Sequence, residues 1–136
     1  MKAAFADSFF FLAMLNVRDS CHREAVAWSE SFAGRILTTH WVLVEVGDAF
    51  SKSTDRDRFI DLLQLIEDDE RIEVVPASAA SFECGVELFA RRPDKSWSLT
   101  DCISFVVMQQ QGITEALTGD HHFEQAGLVA LLRDNE

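Results

Sequence analysis

The stretch that decides the fold runs over residues 98–127 and reads SLTDCISFVVMQQQGITEALTGDHHFEQAG. Its first part predicts a helix from Leu99 to about Gln110, ended by Gly112, because apolar side chains recur at helical spacing before the glycine. A short strand over 115–117 follows, and a turn then leads into another short helix. The stretch is therefore a helix–strand–helix unit, which is typical of an α/β domain.

Carboxylates stand where the helices of this stretch begin. Ser98 is placed as the N-cap of the first helix with Asp101 three residues later, and Asp120 precedes the second helix. An acid in a first helical turn is favoured by free backbone N–H groups and by the helix dipole, so capping alone explains Asp101. Asp7 repeats the arrangement after the short apolar run 3–6. Three such turns would place three acids at one edge of a parallel sheet.

The rest of the chain alternates between strand and helix patterns. Strands are predicted at 2–6, 36–38, 72–75, 115–117 and 128–132, and further helices at 8–15, 21–32, 40–52, 55–68 and 78–90, with a polar tail at 133–136. Connection rules then give an α/β fold, a three-layer α/β/α domain with a five-stranded, mostly parallel sheet. Ligands of such folds bind at the carboxyl ends of the strands. The 136 residues, 48% of them hydrophobic, suit a single domain over 1–136.

Composition excludes several classes of protein. A net charge of -11 and a pI near 4.7 argue against a nucleic-acid binder with a broad basic surface, although bound cations would offset metal-binding carboxylates in a nuclease. Cys21, Cys84 and Cys102 are widely spaced and predict reduced thiols in a cytoplasmic protein. Asp7 interrupts the apolar start, so we expect no signal peptide. No apolar run approaches the roughly 20 residues of a membrane span.

Four acids follow one another in a characteristic order of elements. They are Asp7 after the first strand, Glu45 inside the third helix, Asp101 at the start of a later helix and Asp120 near the end. In this order, and with DCISF at 101–105, TGDHHF at 118–123 and the following Gly127-Leu128, the whole chain resembles the PIN domain (PilT N-terminal) nucleases and, among them, the VapC-like toxin ribonucleases. It departs from their commoner pattern in that Ser8-Phe9-Phe10 follows Asp7, but Ser8 keeps a hydroxyl that can orient the Asp7 carboxylate.

The resemblance implies a specific activity. The protein would be a Mg²⁺- or Mn²⁺-dependent endoribonuclease that cuts single-stranded or exposed RNA to 5′-phosphate and 3′-hydroxyl ends. The protein would be a homodimer and the toxin of a type II toxin–antitoxin pair, with a small antitoxin protein as partner. Asp7 and Asp101 would be the main metal ligands, and Asp120 and Glu45 would complete the shell or position the attacking water. Carboxylates without Cys or His spacing suit Mg²⁺ and Mn²⁺ better than zinc.

Glu45 and several residues near the other acids each have two interpretations. Glu45 stands among valines and either reaches the surface or points into a polar site, because a buried unpaired carboxylate is costly. Ser8 and Thr118 either orient the acids or serve turns and caps. A basic group at the mouth of the site either holds RNA phosphates or is a solvated loop; it consists of Arg91, Arg92 and Lys95.

Two other clusters have simpler expectations. His121 and His122 are expected to be exposed residues of a first helical turn, with a role as ligand or proton shuttle as the alternative. Phe9, Phe10 and Phe11 cannot all face one core from the same helix, so we expect at least one of them to contact a partner.

Other functions compete with the toxin. The chain could be a PIN-like interaction module with an idle site, or an RNA-processing nuclease without an antitoxin. A receiver domain is a further acidic α/β fold, but it needs an Asp at the end of the third strand and a Lys near the last one. Here Pro76 follows that strand, and no Lys lies beyond Lys95.

Overall fold

The computed structural model describes residues 2–133, so the end of the predicted polar tail lies outside the described residues. The strands are Ala3–Ala6 (β1), Arg35–Thr39 (β2), Ile72–Val75 (β3), Glu115–Leu117 (β4) and Val129–Ala130 (β5). The helices are Ser8–Leu15 (α1), His22–Ser31 (α2), His40–Ala49 (α3), Arg56–Asp68 (α4), Ala79–Arg91 (α5), Leu99–Gln111 (α6) and His121–Gln125 (α7). The predicted α/β fold is confirmed.

The five strands form one sheet in the order β3-β2-β1-β4-β5, and every strand pair is parallel. Phe5 on the central strand pairs with Leu37 of β2 and with Ala116 of β4. The chain moves from β1 toward β3 in one direction and from β4 to β5 in the other. Right-handed crossovers therefore place helices on both faces of the sheet and open a crevice at the carboxyl ends of β1 and β4.

Local chemistry sets the limits of the helices around this crevice. The Ser98 hydroxyl accepts from the Asp101 N–H and the Asp101 carboxylate accepts from the Ser98 N–H, so both groups cap α6 reciprocally. Gly112 ends α6 in the left-handed region with φ 68°, which a residue without a Cβ adopts freely. The Thr39 side chain accepts from the Val42 N–H at 3.1 Å and caps α3. These caps begin α3 and α6 at the carboxyl edge of the sheet.

Two elements, β5 and α3, end at least two residues earlier than the sequence pattern predicts. The last strand is limited to Val129–Ala130, because the apolar residues that follow it leave the strand geometry, although the Leu132 N–H still donates to the Thr118 carbonyl at 3.0 Å. Helix α3 ends at Ala49, where the Phe50 N–H donates to the Gly47 carbonyl. The sequence pattern predicted longer elements because Leu132 and Phe50 are buried in the core, although they lie outside the strand and the helix.

Aromatic side chains fix the elements that carry the candidate site. Phe105 of α6 packs edge-on against Trp97 and Phe123, with ring centroids 5.0 and 4.9 Å apart. Phe10 and Phe11 are core residues, so the run of three phenylalanines is mostly structural. Phe9 is half-buried and lies over Gly119, where an added Cβ would be 2.5 Å from the Phe9 ring. The expected partner contact of this run stays a prediction.

Two further observations concern the state of the cysteines and the length of the helices. Cys21, Cys84 and Cys102 are all free thiols. No helix within residues 2–133 is both long and apolar enough to cross a membrane.

Candidate metal centre

Asp7 lies at the floor of the crevice, directly after β1 and at the N-terminus of α1. Only 3% of the residue is exposed, and its Oδ2 accepts a 3.0 Å hydrogen bond from the Thr118 hydroxyl. Burial raises the pKa of Asp7 to about 7, and the charges of Asp101 and, more weakly, Glu45 add to the effect against the opposing hydrogen bonds from Ser8 and Thr118. Asp7 is therefore a carboxyl group held where its negative charge is poorly compensated.

Glu45 points into the same polar site from α3. It is half-buried, and its Oε1 accepts a short hydrogen bond from the Ser8 hydroxyl. The expectation that this hydroxyl orients Asp7 was wrong, because the first turn of α1 directs the Ser8 side chain toward α3. The Ser8 backbone N–H is the group that contacts Asp7. Ser8 thus connects two acids, one through its main chain and one through its side chain.

Asp101 is held from two sides at the start of α6. Its Oδ2 accepts from the Ser98 N–H at 3.1 Å and lies 3.0 Å from Nδ1 of His122. Only 7% of the residue is exposed. Burial raises the pKa of Asp101 and the charge of Asp120 adds to this, while the bonds from Ser98 and His122 oppose it. Capping and a role in the site are therefore compatible in the same side chain.

Asp120 stands at the N-cap of α7, after β4. Its Oδ1 accepts from the His122 N–H at 2.9 Å, and its own N–H donates to the Thr118 hydroxyl at 3.1 Å. The Thr118 hydroxyl therefore contacts both Asp7 and Asp120. One threonine sets the spacing between two of the four acids.

His122 does not lie where the sequence analysis placed it. His121 is exposed, with 56% of its side chain accessible, but only 20% of the His122 side chain is accessible. The expectation of exposure failed for His122 because it considered α7 alone, whereas α6 packs beside it and brings Asp101 against the ring. The sequence indicated only that both helices start at the same edge of the sheet, and it did not show which side chains would meet there.

The basic residues upstream of Asp101 differ in their availability. The Arg92 guanidinium forms a bidentate pair with Asp94, with both N–O distances 3.0 Å, and lies 5.1 Å from the centre of the Trp97 ring. Arg91 is exposed, and Lys95 is half-buried in the loop that leads into α6. The two interpretations of this group, phosphate contact and solvated loop, remain predictions.

The donor set fits a hard divalent cation. Among residues 2–133 no lysine or arginine forms an ion pair with Asp7, Glu45, Asp101 or Asp120. A cation between these carboxylates would offset the burial and the repulsion from Asp101 that raise the pKa of Asp7, and oxygen is the ligand atom that Mg²⁺ and Mn²⁺ prefer. Among the described residues, no three of the four acids have ligand atoms that all lie within 4.8 Å of one another, whereas the neighbouring group Asp120, His121 and His122 does.

A five-stranded parallel sheet with this strand order and acids at its carboxyl edge defines a class of α/β proteins with an acidic site at the topological switch point. The family model of the PIN domain matches residues 4–128, and the chain belongs to this family. The resemblance seen in the sequence is confirmed, and the receiver-domain alternative is wrong.

Solved structures share this fold. The chain superposes on the crystal structure of Mycobacterium tuberculosis VapC20, a toxin that cleaves the sarcin–ricin loop, with a TM-score of 0.86 and 24% identity over 96% of this chain and 98% of that one. DNA-bound VapBC2 from Rickettsia felis gives 0.66 and 14% over 95% and 96% of the two chains. DNA-bound VapBC from Salmonella typhimurium gives 0.66 and 14% over 96% of each. A search of curated proteins returns no match.

Proposed function

We propose that this chain is a divalent-metal-dependent endoribonuclease that hydrolyses RNA phosphodiester bonds. The observation that carries the proposal is the convergence of Asp7, Glu45, Asp101 and Asp120 on one sheet edge with no lysine or arginine of the described residues paired to them. Membership in the PIN domain family supports it.

The ion is proposed to be Mg²⁺ or Mn²⁺. Asp7 and Asp101 would hold it, and Asp120 and Glu45 would complete the shell or position the attacking water. When bound, an ion of this kind would lower the pKa of a water molecule and polarise the scissile phosphate. Asp101 Oδ1 and Glu45 Oε2 accept no hydrogen bond from side chains of the described residues. Both oxygens are therefore available to coordinate a metal ion.

The surrounding residues hold the carboxylates in place before any ligand arrives. The Thr118 hydroxyl fixes Oδ2 of Asp7, and the Ser8 hydroxyl fixes Oε1 of Glu45. Ser98 and His122 together fix Oδ2 of Asp101. Because the acids are already oriented, little conformational entropy remains to be lost when an ion and a phosphate bind. This is the contribution of the chain to the reaction.

The cellular role is proposed to be that of a toxin with an antitoxin partner. Similarity to VapC20 and to the VapBC structures supports this role and the cleavage of RNA. A groove of about 880 Å³ between α3 and α4 is lined by apolar residues such as Leu43, Phe59 and Leu63, which suits an apolar segment of an antitoxin. The cytoplasm remains the predicted location.

A homodimer is part of the same proposal. Phe82, Val86 and Phe89 follow one another at helical spacing on α5, and each is more than a third exposed. Trp41 of α3 extends this surface, since its ring lies 6.0 Å from that of Phe82. An exposed apolar stripe of this kind supports contact with another protein surface.

The activity is tested by incubating the purified chain with a labelled mixed RNA pool in Mg²⁺ or Mn²⁺ and separating the products by size. We expect cleavage that EDTA stops and that Asp7→Asn and Asp101→Asn abolish while far-ultraviolet circular dichroism stays unchanged. Asp48→Asn is the matched control, because Asp48 is an exposed acid on α3. Cleavage that persists in both site variants, or none in the wild type, would overturn the proposal and leave an idle interaction module.

The toxin role needs a separate experiment, because an RNA-processing nuclease would give the same cleavage. Induced expression of the wild-type chain is expected to arrest growth, whereas expression of Asp7→Asn is not. Growth that continues while the cells contain active enzyme would favour RNA processing.

A further inference from the structure

Asp120, His121 and His122 form a compact group of metal-ligating atoms beside the carboxylate site. Nδ1 of His122 lies 3.5 Å from Oδ1 of Asp120, and Nδ1 of His121 lies 3.7 Å from the same oxygen. The two imidazole rings are close as well, with centroids 4.5 Å apart. A search of the described residues for three or more such side chains with ligand atoms all within 4.8 Å of one another finds this group.

The spacing of these atoms matches the edges of a coordination polyhedron. Ligand atoms that bind one ion at about 2.1 Å lie roughly 3.0 to 3.5 Å from each other in octahedral or tetrahedral geometry. The observed 3.5 and 3.7 Å separations need only a small adjustment to reach this range. A single ion could therefore contact all three residues without a change in the backbone.

Neighbouring helical residues do not normally converge in this way. Side chains at consecutive positions of a helix project about 100° apart, so two adjacent histidines would usually point in different directions. Here the first turn of α7 lets both rings approach the carboxylate that caps the helix. The positive end of this short helix disfavours a cation, and the carboxylates of Asp101 and Asp120, 3.0 and 3.5 Å from Nδ1 of His122, act in the opposite sense.

We propose that Asp120, His121 and His122 form a nitrogen-containing site that binds transition-metal ions such as Co²⁺, Ni²⁺ and Zn²⁺ in preference to Mg²⁺. Imidazole nitrogen is a good donor for these ions and a poor one for Mg²⁺, which keeps oxygen ligands. Such an ion would also draw His122 away from Asp101 and change the orientation of that acid. The site would thus let transition-metal ions modulate the carboxylate centre.

The proposal shares Asp120 with the proposed nuclease centre, but it does not depend on RNA cleavage. Asp7→Asn separates the two, because Asp7 has no contact with either imidazole among the described hydrogen bonds. In that variant the carboxylate centre loses a main ligand while the group around Asp120 keeps all its donors. Metal binding to Asp7→Asn therefore tests the histidine site alone.

The experiment is isothermal titration of the full chain with Co²⁺ and with Mg²⁺ in metal-free buffer, followed in parallel by the visible absorption of bound Co²⁺. Three proteins are compared: Asp7→Asn, the same protein with His121→Gln and His122→Gln, and the same protein with His22→Gln and His40→Gln. The chain has 4 histidines. The second protein lacks the two at the proposed site, and the third lacks the other two and serves as the control. A fourth protein, Asp7→Asn with His121→Gln alone, is added because it changes only an exposed side chain and so guards against misfolding.

We expect Asp7→Asn to bind one Co²⁺ ion far more tightly than Mg²⁺. Replacing both site histidines should weaken Co²⁺ binding by about tenfold or more, and His121→Gln alone should weaken it measurably. The His22 and His40 control should bind as Asp7→Asn does. Co²⁺ binding that is no tighter than Mg²⁺ binding, or that survives loss of His121 and His122, would overturn the proposal whether or not the chain cleaves RNA.

Discussion

The Thr118 hydroxyl donates a 3.0 Å hydrogen bond to Oδ2 of Asp7, although the two residues lie 111 positions apart in the chain. The same hydroxyl accepts from the Asp120 N–H at 3.1 Å. β1 and β4 are neighbours in the sheet, so the residue after each strand meets the other at the carboxyl edge. This threonine is the point at which the beginning and the end of the chain are joined within the site.

Removing the Thr118 hydroxyl is expected to disturb two acids at once. Thr118→Val keeps the shape of the side chain but removes the side-chain donor to Asp7, which keeps only the Ser8 N–H, and leaves the Asp120 N–H without its acceptor. We expect about 1–3 kcal/mol of lost stability and a weaker affinity for Mn²⁺. Thr118→Ser retains the hydroxyl and is the matched control. Equal stability and Mn²⁺ affinity in the valine and serine variants would show that the hydrogen bonds are unimportant.

Asp7→Asn is expected to stabilise the metal-free protein at neutral pH. Because the pKa of Asp7 rises from 3.8 to about 7 on folding, the folded state holds the proton more tightly. The resulting penalty is absent below pH 3.8, grows as the pH rises and is complete above about pH 7. Its size is at most about 4 kcal/mol, and an asparagine, which cannot ionise, avoids it.

The measurement is thermal unfolding in EDTA at pH 5 and at pH 7.5. The melting temperature of Asp7→Asn should exceed that of the wild type at pH 7.5, and the difference should shrink at pH 5. Asp48→Asn, which changes an exposed acid, should show no such pattern. A variant that is less stable than the wild type at pH 7.5 would contradict the burial of an ionised Asp7.

Gly119 separates Thr118 from Asp120, and it has no room for a side chain. An added Cβ would lie 2.5 Å from Cζ of Phe9, so Gly119→Ala should displace either the ring or the turn. We expect a loss of about 1–3 kcal/mol in stability and a drop in cleavage. The second substitution Phe9→Leu should restore part of both by removing the ring. If the alanine variant loses nothing, or if the double variant shows no recovery, the close contact is not what requires glycine.

The basic residues before Asp101 give a test of RNA binding. Arg92 is already paired with Asp94, so Arg91→Ala and Lys95→Ala should weaken RNA binding more than Arg92→Ala does. Each lost phosphate contact should lower the slope of log affinity against log salt by about 0.7. Arg18→Ala removes an exposed charge from the turn after α1 and should have little effect. Equal effects of Arg18 and Lys95 would indicate a general charge effect.

The sequence predicted the fold well because its signals were local and redundant. Ser98 and Asp101 form a capping box, Gly112 ends the helix, and buried strands read as short apolar runs, so element order and type followed directly. The length of β5 could not be predicted, since Leu132 is buried without being part of a strand. Hydrophobicity reports burial, and hydrogen-bond geometry decides where a strand ends.

The residues of the candidate site were easier to name than to arrange. The order of the acids along the strands and helices placed Asp7, Asp101 and Asp120 at one edge, but no pattern along the chain shows which hydroxyl reaches which carboxylate. Ser8 bonds Glu45 instead of Asp7 because α3 packs against α1. His122 meets Asp101 because α6 and α7 are neighbours. Both contacts depend on how helices pack, which local propensity does not encode.

The central claim is that acids from distant parts of the chain bind one divalent cation at the carboxyl edge of the sheet. The most direct test is the anomalous difference map of a crystal of the full chain soaked in Mn²⁺. We predict a peak within coordination distance of carboxylate oxygens of Asp7 and Asp101, which is lost in crystals of Asp7→Asn. A map with no peak between these residues, or a peak that Asp7→Asn leaves unchanged, would contradict the claim.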